Sequence, residues 1–409
     1  MIKTANAVVG QSGGPTAAIN ASLAGVMRAA ADSNGKIDRL YGMKNGIDGL
    51  LSEELIDLSG LCHDGEKLSL LRHTPASALG SCRRRLPPPE TDDAPYKKIL
   101  SVLKKYNIRY FFYIGGNDSM DTVSKLGSYA EKNGFDLRVV GIPKTIDNDL
   151  PLTDHTPGFG SAAKYIATMT QEILRDCAVY TVPAVTIIEI MGRDTGWLTA
   201  AAALGRNICG AEPDLVYLPE RDFEMNRFIS DVRTALKKHP NVVVAVSEGI
   251  HFADGTSVGA ALQSGASDVF GHKYLSGCGK ALELAVKAEI GCKVRSVEFH
   301  LCQRCASHIA SETDLREAEA VGAHAVAAAF DGKSRIMITE IRNGNSPYAV
   351  SFGTVCVDDV ANKTKYVPSE FISADGNNVT NACLEYLTPL IQGEVAPLYR
   401  EGLPVHFVF

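Results

Sequence analysis

The sequence predicts an α/β protein built on mostly parallel sheets. The first observation is a rhythm: short β-branched or aromatic runs, each closed by glycine or a charge, recur ahead of helical patterns. They are NAVVG before QSGGPT, YFFYI before GGNDS, RVVGI before PKTIDND, AVTIIEI before MGRDTGW, and VVVAV before SEG. The second is that the polar, chemistry-bearing text sits where these strands end, the edge at which open α/β sheets bind ligands. The third is length: 409 residues suit two or three domains at about 100–200 residues each.

In chain order, the first strand is followed by a turn and then by Pro15 to Ala31, whose Ile19, Leu23, Val26 and Met27 fall at helical spacing behind a proline near the first turn. Arg83 to Pro95, RRRLPPPETDDAP, changes from bases to prolines to acids and reads as a surface loop. Loops near 145–160 and 255–275 are the expected lobe boundaries.

With 45% hydrophobic and 22% charged residues, the composition excludes a disordered or fibrous chain. A net charge of −6 gives no overall field to attract nucleic acid or an anionic membrane, so an anionic ligand needs local cations. Ten scattered cysteines fit a reducing compartment and read mostly as small buried apolar residues. No apolar run approaches the roughly 18–20 residues that cross a bilayer, and a glycine turn interrupts the start before a signal-peptide core. A cytoplasmic location is expected.

Four turns carry the chemistry. Gly10-Gln11-Ser12-Gly13-Gly14 lies between strand and helix, where free backbone N–H groups favour a phosphate; it is neither a Walker A loop nor a complete GxGxxG, and equally fits a plain tight turn. Gly115-Gly116-Asn117-Asp118-Ser119 repeats the placement with a carboxylate, which suggests Mg2+. Pro143-Lys144-Thr145-Ile146-Asp147-Asn148-Asp149 packs a cation, a hydroxyl and two carboxylates into seven residues. That set suits phosphoryl transfer, in which a carboxylate takes the proton of the attacking hydroxyl; the alternative is an Asx-rich capping turn. Met191-Gly192-Arg193-Asp194-Thr195-Gly196-Trp197 brings an arginine to another strand end. Arg83, Arg84 and Arg85, and Arg295 with Arg304 around SVEFHLCQ, supply further positive charge. His300, Cys302, Cys305 and His308 spell HxCxxCxxH, a potential zinc or redox set. On an alternating SVEFHLCQ strand Cys302 and His300 would share a face with Cys305 beyond the strand end, so the set is read as structural.

Taken in order, QSGGPTAAIN, GSCR, GGNDS, PKTIDND, GFGSA, MGR, SEG and QR resemble the 6-phosphofructokinases over nearly the whole chain, and within them the pyrophosphate-dependent branch. PKTIDND with MGR at this separation is the specific part. The resemblance implies a phosphofructokinase-like fold of two Rossmann-like lobes with an active-site cleft between them. Residues 1–150 plus part of 255–330 would bind pyrophosphate and Mg2+; 151–255 plus the C-terminal part to 409 would bind the sugar phosphate. The implied reaction is Mg-dependent, reversible transfer of a phosphoryl group from pyrophosphate to the C1 hydroxyl of fructose 6-phosphate, by a homodimer or homotetramer with no nucleic-acid or membrane partner.

The resemblance also implies roles. Gly13 lies against the donor and Arg83 reaches its phosphates. Asp147 is the base, with Thr145 and Ile146 beside it, and Lys144 and Arg193 neutralise the transferring phosphoryl. Met191, Gly192 and Arg193 contact sugar phosphate and transferring group, Glu248 holds sugar hydroxyls, and Arg295 and Arg304 clamp the 6-phosphate, one of them commonly from a neighbouring subunit. Three positions depart from the family pattern. Asn117 replaces an aspartate associated with Mg2+, which moves metal duty toward Asp118 or Asp149. Ala184 replaces a second 6-phosphate arginine, and Ala24 replaces an effector-binding arginine, which argues against allosteric control. Asp118 and Lys144 stand where ATP-using relatives carry glycine. Use of ATP on the same fold, and a non-catalytic sugar-phosphate sensor, are the rival readings.

Overall fold

The computed structural model describes residues 4–260 and 277–409; much of the expected boundary near 255–275 lies outside them. Among the described residues, eleven strands form the two main sheets: β1 (Ala5–Gln11), β2 (Ile37–Met43), β3 (Leu55–Asp57), β4 (Ile108–Gly115), β5 (Arg138–Pro143), β6 (Ala184–Ile190), β7 (Leu215–Tyr217), β8 (Asn241–Ser247), β9 (Lys293–Glu298), β10 (Ile336–Asn345) and β11 (Tyr348–Cys356), beside a small antiparallel pair, Tyr399–Arg400 with Leu403–Pro404. The larger sheet runs β11-β10-β5-β4-β1-β2-β3, and the smaller β7-β8-β6-β9. Pairing is parallel except for the edge strands β3 and β11.

Strand β1 is buried throughout, as a central parallel strand covered on both faces must be. Its side chains alternate. Ala7 and Val9 join the core under the helices Ile19–Ala31 and Glu312–Phe330, while Val8 packs with Ile99, Val102 and Val123 of the helices Ala94–Lys105 and Asn117–Lys132. Fully burying one such side chain contributes roughly 1.5–3 kcal/mol. The helices Ile19–Ala31 and Glu312–Phe330 touch backbone to backbone: a Cβ at Gly25 would stand 1.9 Å from Glu319 O, and one at Gly322 2.1 Å from Ser22 O. Any side chain there would force them apart.

The smaller sheet is covered on one face by the helix Phe159–Cys177, residues 197–204 and the helix Asn381–Leu387, and on the other by the helices Met225–Leu236 and Cys278–Glu289. The chain passes between the sheets more than once. After β9 the helix Glu312–Phe330 and the hairpin β10–β11 rejoin the larger sheet, because Ile336 and Met337 pair with Val140 and Gly141. Residues 367–391 then return to the core of the smaller one. No described helix is long and apolar enough to cross a membrane.

Candidate active site

The ends of β1, β4, β5, β6 and β8 converge on one cleft of about 420 Å³. At the end of β1, Gly13 is left-handed (φ +76°); its N–H donates to Cys82 O (3.1 Å) and its carbonyl accepts from Ser81 Oγ (2.6 Å). These bonds sew the turn to residues 81–82 and bring Arg83 to the cleft. The helix expected from Pro15 begins instead at Ile19, because Gly13 to Thr16 run along the cleft wall before the chain turns helical. Ala24 lies buried in the core beneath it.

After β4, Asn117 opens the helix Asn117–Lys132 and Asp118 lies in its first turn. Asn117 uses both ends of its amide elsewhere: Nδ2 donates to Lys363 O (2.6 Å) and Oδ1 accepts from Asn362 N. That clamp holds a strap whose Asn362 and Thr364 line the same end of the cleft. Asp118 Oδ1 accepts from Arg85 Nε (2.9 Å) and Nη2 (2.8 Å).

The PKTIDND turn forms the floor. Lys144 is 2% exposed, donates to Gly14 O (2.6 Å), and is lowered by burial to about 8. Asp147 N donates to Thr145 Oγ1 (3.1 Å), and Asp147 O accepts from Thr195 Oγ1 (3.1 Å). Asn148 is left-handed (φ +53°), and its amide is held by Tyr386 Oη and Lys365 Nζ, with Asp147 and Asp149 lining the cleft on either side. Burial raises the Asp147 carboxyl against the opposing pull of Arg193 and Lys144. Burial and then the Asp147 charge push Asp149 up to about 7.

At the end of β6, Gly192 adopts φ +146°, and a Cβ there would stand 2.5 Å from Thr195 O. Its N–H donates to Glu248 Oε1 (3.4 Å), and Ser247 Oγ donates to its carbonyl. Glu248 is pushed up to about 8 by burial. Arg193 lines the cleft, and its buried Nε has no hydrogen-bond partner among the described residues, which is the condition a phosphate oxygen would complete.

Gly13, Arg83, Asn117, Asp118, Lys144, Thr145, Ile146, Asp147, Asp149, Met191, Arg193, Glu248 and Arg304 thus share one cleft. Arg304 reaches the first turn, with Nη1 3.3 Å from where a Gly14 Cβ would stand, and burial and the charge of Arg83 lower its pKa. Arg295 is elsewhere, exposed on the edge strand β9. The SVEFHLCQ strand stops at Glu298: Phe299 N donates to Glu189 O, His300 turns left-handed (φ +39°), and Cys302–Cys305 is a short helix. Cys302, Cys305 and His300 are exposed, and His300 pairs with Glu298.

Sequence reading missed four contributors. Gln303 accepts from Met191 N (3.3 Å). Lys365 Nζ donates to Asn148 Oδ1 (3.0 Å), Thr153 O (3.2 Å) and Asp154 O (2.8 Å). Asn362 and Thr364 complete the wall. Only Gln303 had a signal, in the QR pair.

A half-buried carboxylate flanked by a lysine and an arginine, beneath glycine turns that offer backbone donors, is machinery for moving a phosphoryl group. The class is a phosphotransferase on an α/β scaffold. The chain belongs to the phosphofructokinase family, whose model matches residues 6–329. It is 44% identical over 403 residues to pyrophosphate–fructose 6-phosphate 1-phosphotransferase of Halomonas elongata, covering 98% of this chain and 94% of that one. The Methylococcus capsulatus protein of the same name is 42% identical over 401 residues, with 98% and 94% covered. The crystal structure of pyrophosphate-dependent phosphofructokinase from Nitrosospira multiformis superposes with a TM-score of 0.87 at 39% identity, covering 98% of this chain and 95% of that one.

Proposed function

We propose that the protein transfers a phosphoryl group reversibly between pyrophosphate and the C1 hydroxyl of fructose 6-phosphate. The observation that carries this reading is Asp147, half-buried in the cleft with the charges of Lys144 and Arg193 acting on it. The C1 oxygen bonds to the terminal phosphorus of pyrophosphate while the bridging P–O bond breaks. The hydroxyl proton passes to Asp147, and the departing phosphate takes the bond's electrons. Lys144 and Arg193 answer the charge on the transferring group, and Glu248 orients sugar hydroxyls. The lobe built on the larger sheet takes the donor, and that on the smaller sheet the sugar.

Mg2+ fits the oxygen donors here. Asp149, half-buried near Asp147, is a carboxylate that a cation would keep ionised. Asp149 with Asp118 would hold the ion, since Asn117 is committed to the strap. When bound, Mg2+ neutralises phosphoryl oxygens. Initial rates at saturating Mg2+ test the donor: pyrophosphate should give strong turnover and ATP very little, and faster turnover with ATP would overturn this reading.

Arg304 is the arginine of this chain that reaches the sugar's 6-phosphate, and Arg295, exposed on β9, serves the cleft of a second copy. Without substrate Arg304 faces Arg83, a like-charge contact that a dianion relieves. Arg304→Ala should raise KM for fructose 6-phosphate at least tenfold more than KM for pyrophosphate, in line with loss of a charge-assisted pair. Equal rises would reassign Arg304 to the donor.

Lys144 acts as a cation, so the free enzyme loses donor affinity as it deprotonates. The profile of kcat/KM for pyrophosphate should fall above pH of about 8. Lys144→Arg should keep its charge and remove that fall; an unchanged alkaline limb in the variant would assign the limb to another group.

A further inference from the structure

Beyond the cleft, the loop that follows Asp149 enters a buried cluster with no part in the reaction above. His155, Glu317 and Glu340 are 2%, 3% and 1% exposed. His155 Nε2 lies 2.9 Å from Glu317 Oε2 and 3.0 Å from Glu340 Oε2, and one ligand atom from each residue falls within 4.8 Å of the others. The other ring nitrogen, Nδ1, is 2.8 Å from Asp154 Oδ1, a carboxylate in turn held by Arg342 Nε at 2.9 Å. Tyr348 Oη stands 3.5 Å from Nε2.

We propose that His155, Glu317 and Glu340 form a structural site for a divalent transition-metal ion, zinc being best suited to one imidazole and two carboxylates. Orientation is the first support. A carboxylate on Nδ1 fixes the imidazole tautomer that turns the Nε2 lone pair toward a metal, the usual arrangement behind a metal-bound histidine.

The second support is what the cluster leaves unpaired. A single Nε2–H could serve only one of the two oxygens beside it. Glu317 Oε1 and both oxygens of Glu340 are buried without a hydrogen-bond partner among the described residues. Buried acceptors are rarely left so, and an ion bound by both carboxylates satisfies them.

Charge is the third. Asp154 is answered by Arg342, and Asp314, nearby on the same helix as Glu317, accepts from Gly158 N, Ser161 N and Ser161 Oγ. Glu317 and Glu340 remain, two negative charges against one imidazole, with the Lys365 ammonium acting on Glu340 but bonded to Asn148, Thr153 and Asp154 instead. An imidazolium cancels one of them, whereas a neutral imidazole with a divalent cation cancels both. The donor spacing is also close to that required. Ligands at about 2.0 Å around a tetrahedral ion stand about 3.3 Å apart, against 2.9 and 3.0 Å from His155 Nε2 to the two carboxylates and at most 4.8 Å for the third spacing, so small side-chain shifts admit it.

The three ligands come from the loop behind PKTIDND, the helix Glu312–Phe330 and β10, so the ion pins the loop that carries Asp147 and Asp149 to helix and sheet at once. Being buried, it enters as the chain folds.

Element analysis of the full-length enzyme, produced with zinc in the medium and passed through a chelator at neutral pH, tests the site. We expect about one zinc per chain, released only on unfolding. Glu340→Gln and His155→Gln should each lose it, whereas Asp118→Asn should retain it. A crystal measured at the zinc edge should place the anomalous peak against His155 Nε2. Less than about a tenth of an equivalent of zinc, manganese, iron, cobalt or nickel in wild-type protein refolded with those metals overturns the proposal. So does an ion that leaves with Asp118→Asn but stays in Glu340→Gln.

Discussion

Asp147→Asn should lower kcat by roughly 10²–10⁴-fold, the range for loss of a general base, while leaving the affinity for fructose 6-phosphate nearly unchanged. The structure sharpens that result. The amide keeps the shape of the side chain, and the turn that positions it rests on backbone bonds from Thr145 and Thr195 that the substitution does not touch. Thermal stability should therefore hold or rise, since a like charge acting on Asp149 is removed. Steady-state rates together with binding of fructose 6-phosphate separate the two effects. A loss below about tenfold would take the base assignment away from Asp147.

The second large effect concerns the donor. Asp118 and Lys144 both line the cleft. A nucleotide must continue past its β-phosphate, and there the Asp118 carboxylate adds like charge and bulk against it. With Mg2+ raised to saturate the site that Asp149 retains, Asp118→Gly should raise ATP turnover by about tenfold or more, because it removes that like charge and bulk. Lys144→Gly should cut pyrophosphate turnover by about 10²-fold or more, since it deletes the compact cation beside the transferring group. The double variant should prefer ATP, at a lower absolute rate. Its rate is held down by the strap, where Asn117 fixes Asn362 and Thr364 across that end. If Asp118→Gly leaves ATP turnover at the wild-type level, the carboxylate is not what excludes the nucleotide.

Much of this site was legible because the fold puts its chemistry where strands stop. Each β-branched run announced its own end, and the residues after it, from Gly13 to Glu248, arrived in one cleft. The reading failed where a contact overrode a local pattern. Pro15 to Ala18 look helical, yet Pro15 and Thr16 are spent on the cleft wall and Ala17 and Ala18 pack in a core with Ala310 and Leu315 before the helix begins. SVEFHLCQ alternates like a strand, but β9 ends at Glu298, and His300 turns away. Lys365 and the strap left no local mark: their partners Asn148 and Asn117 are more than two hundred residues distant in sequence, and common polar residues in a loop carry no period. The burial that perturbs Lys144, Asp149 and Glu248 is likewise a property of the closed cleft and of no motif. His155, Glu317 and Glu340 are scattered through three elements and were equally invisible.

The repeated passage of the chain between the two sheets has an evolutionary consequence. Neither lobe is one uninterrupted stretch: the larger sheet takes β1 to β5 and then β10 and β11, and the smaller takes its strands from between them and its cover from residues beyond. A gene fusion or recombination event cannot exchange one lobe as a cassette without cutting the other. A lineage changing its phosphoryl donor must therefore do so by substitution in place, which makes single codons such as those for Asp118 and Lys144 the units on which selection acts.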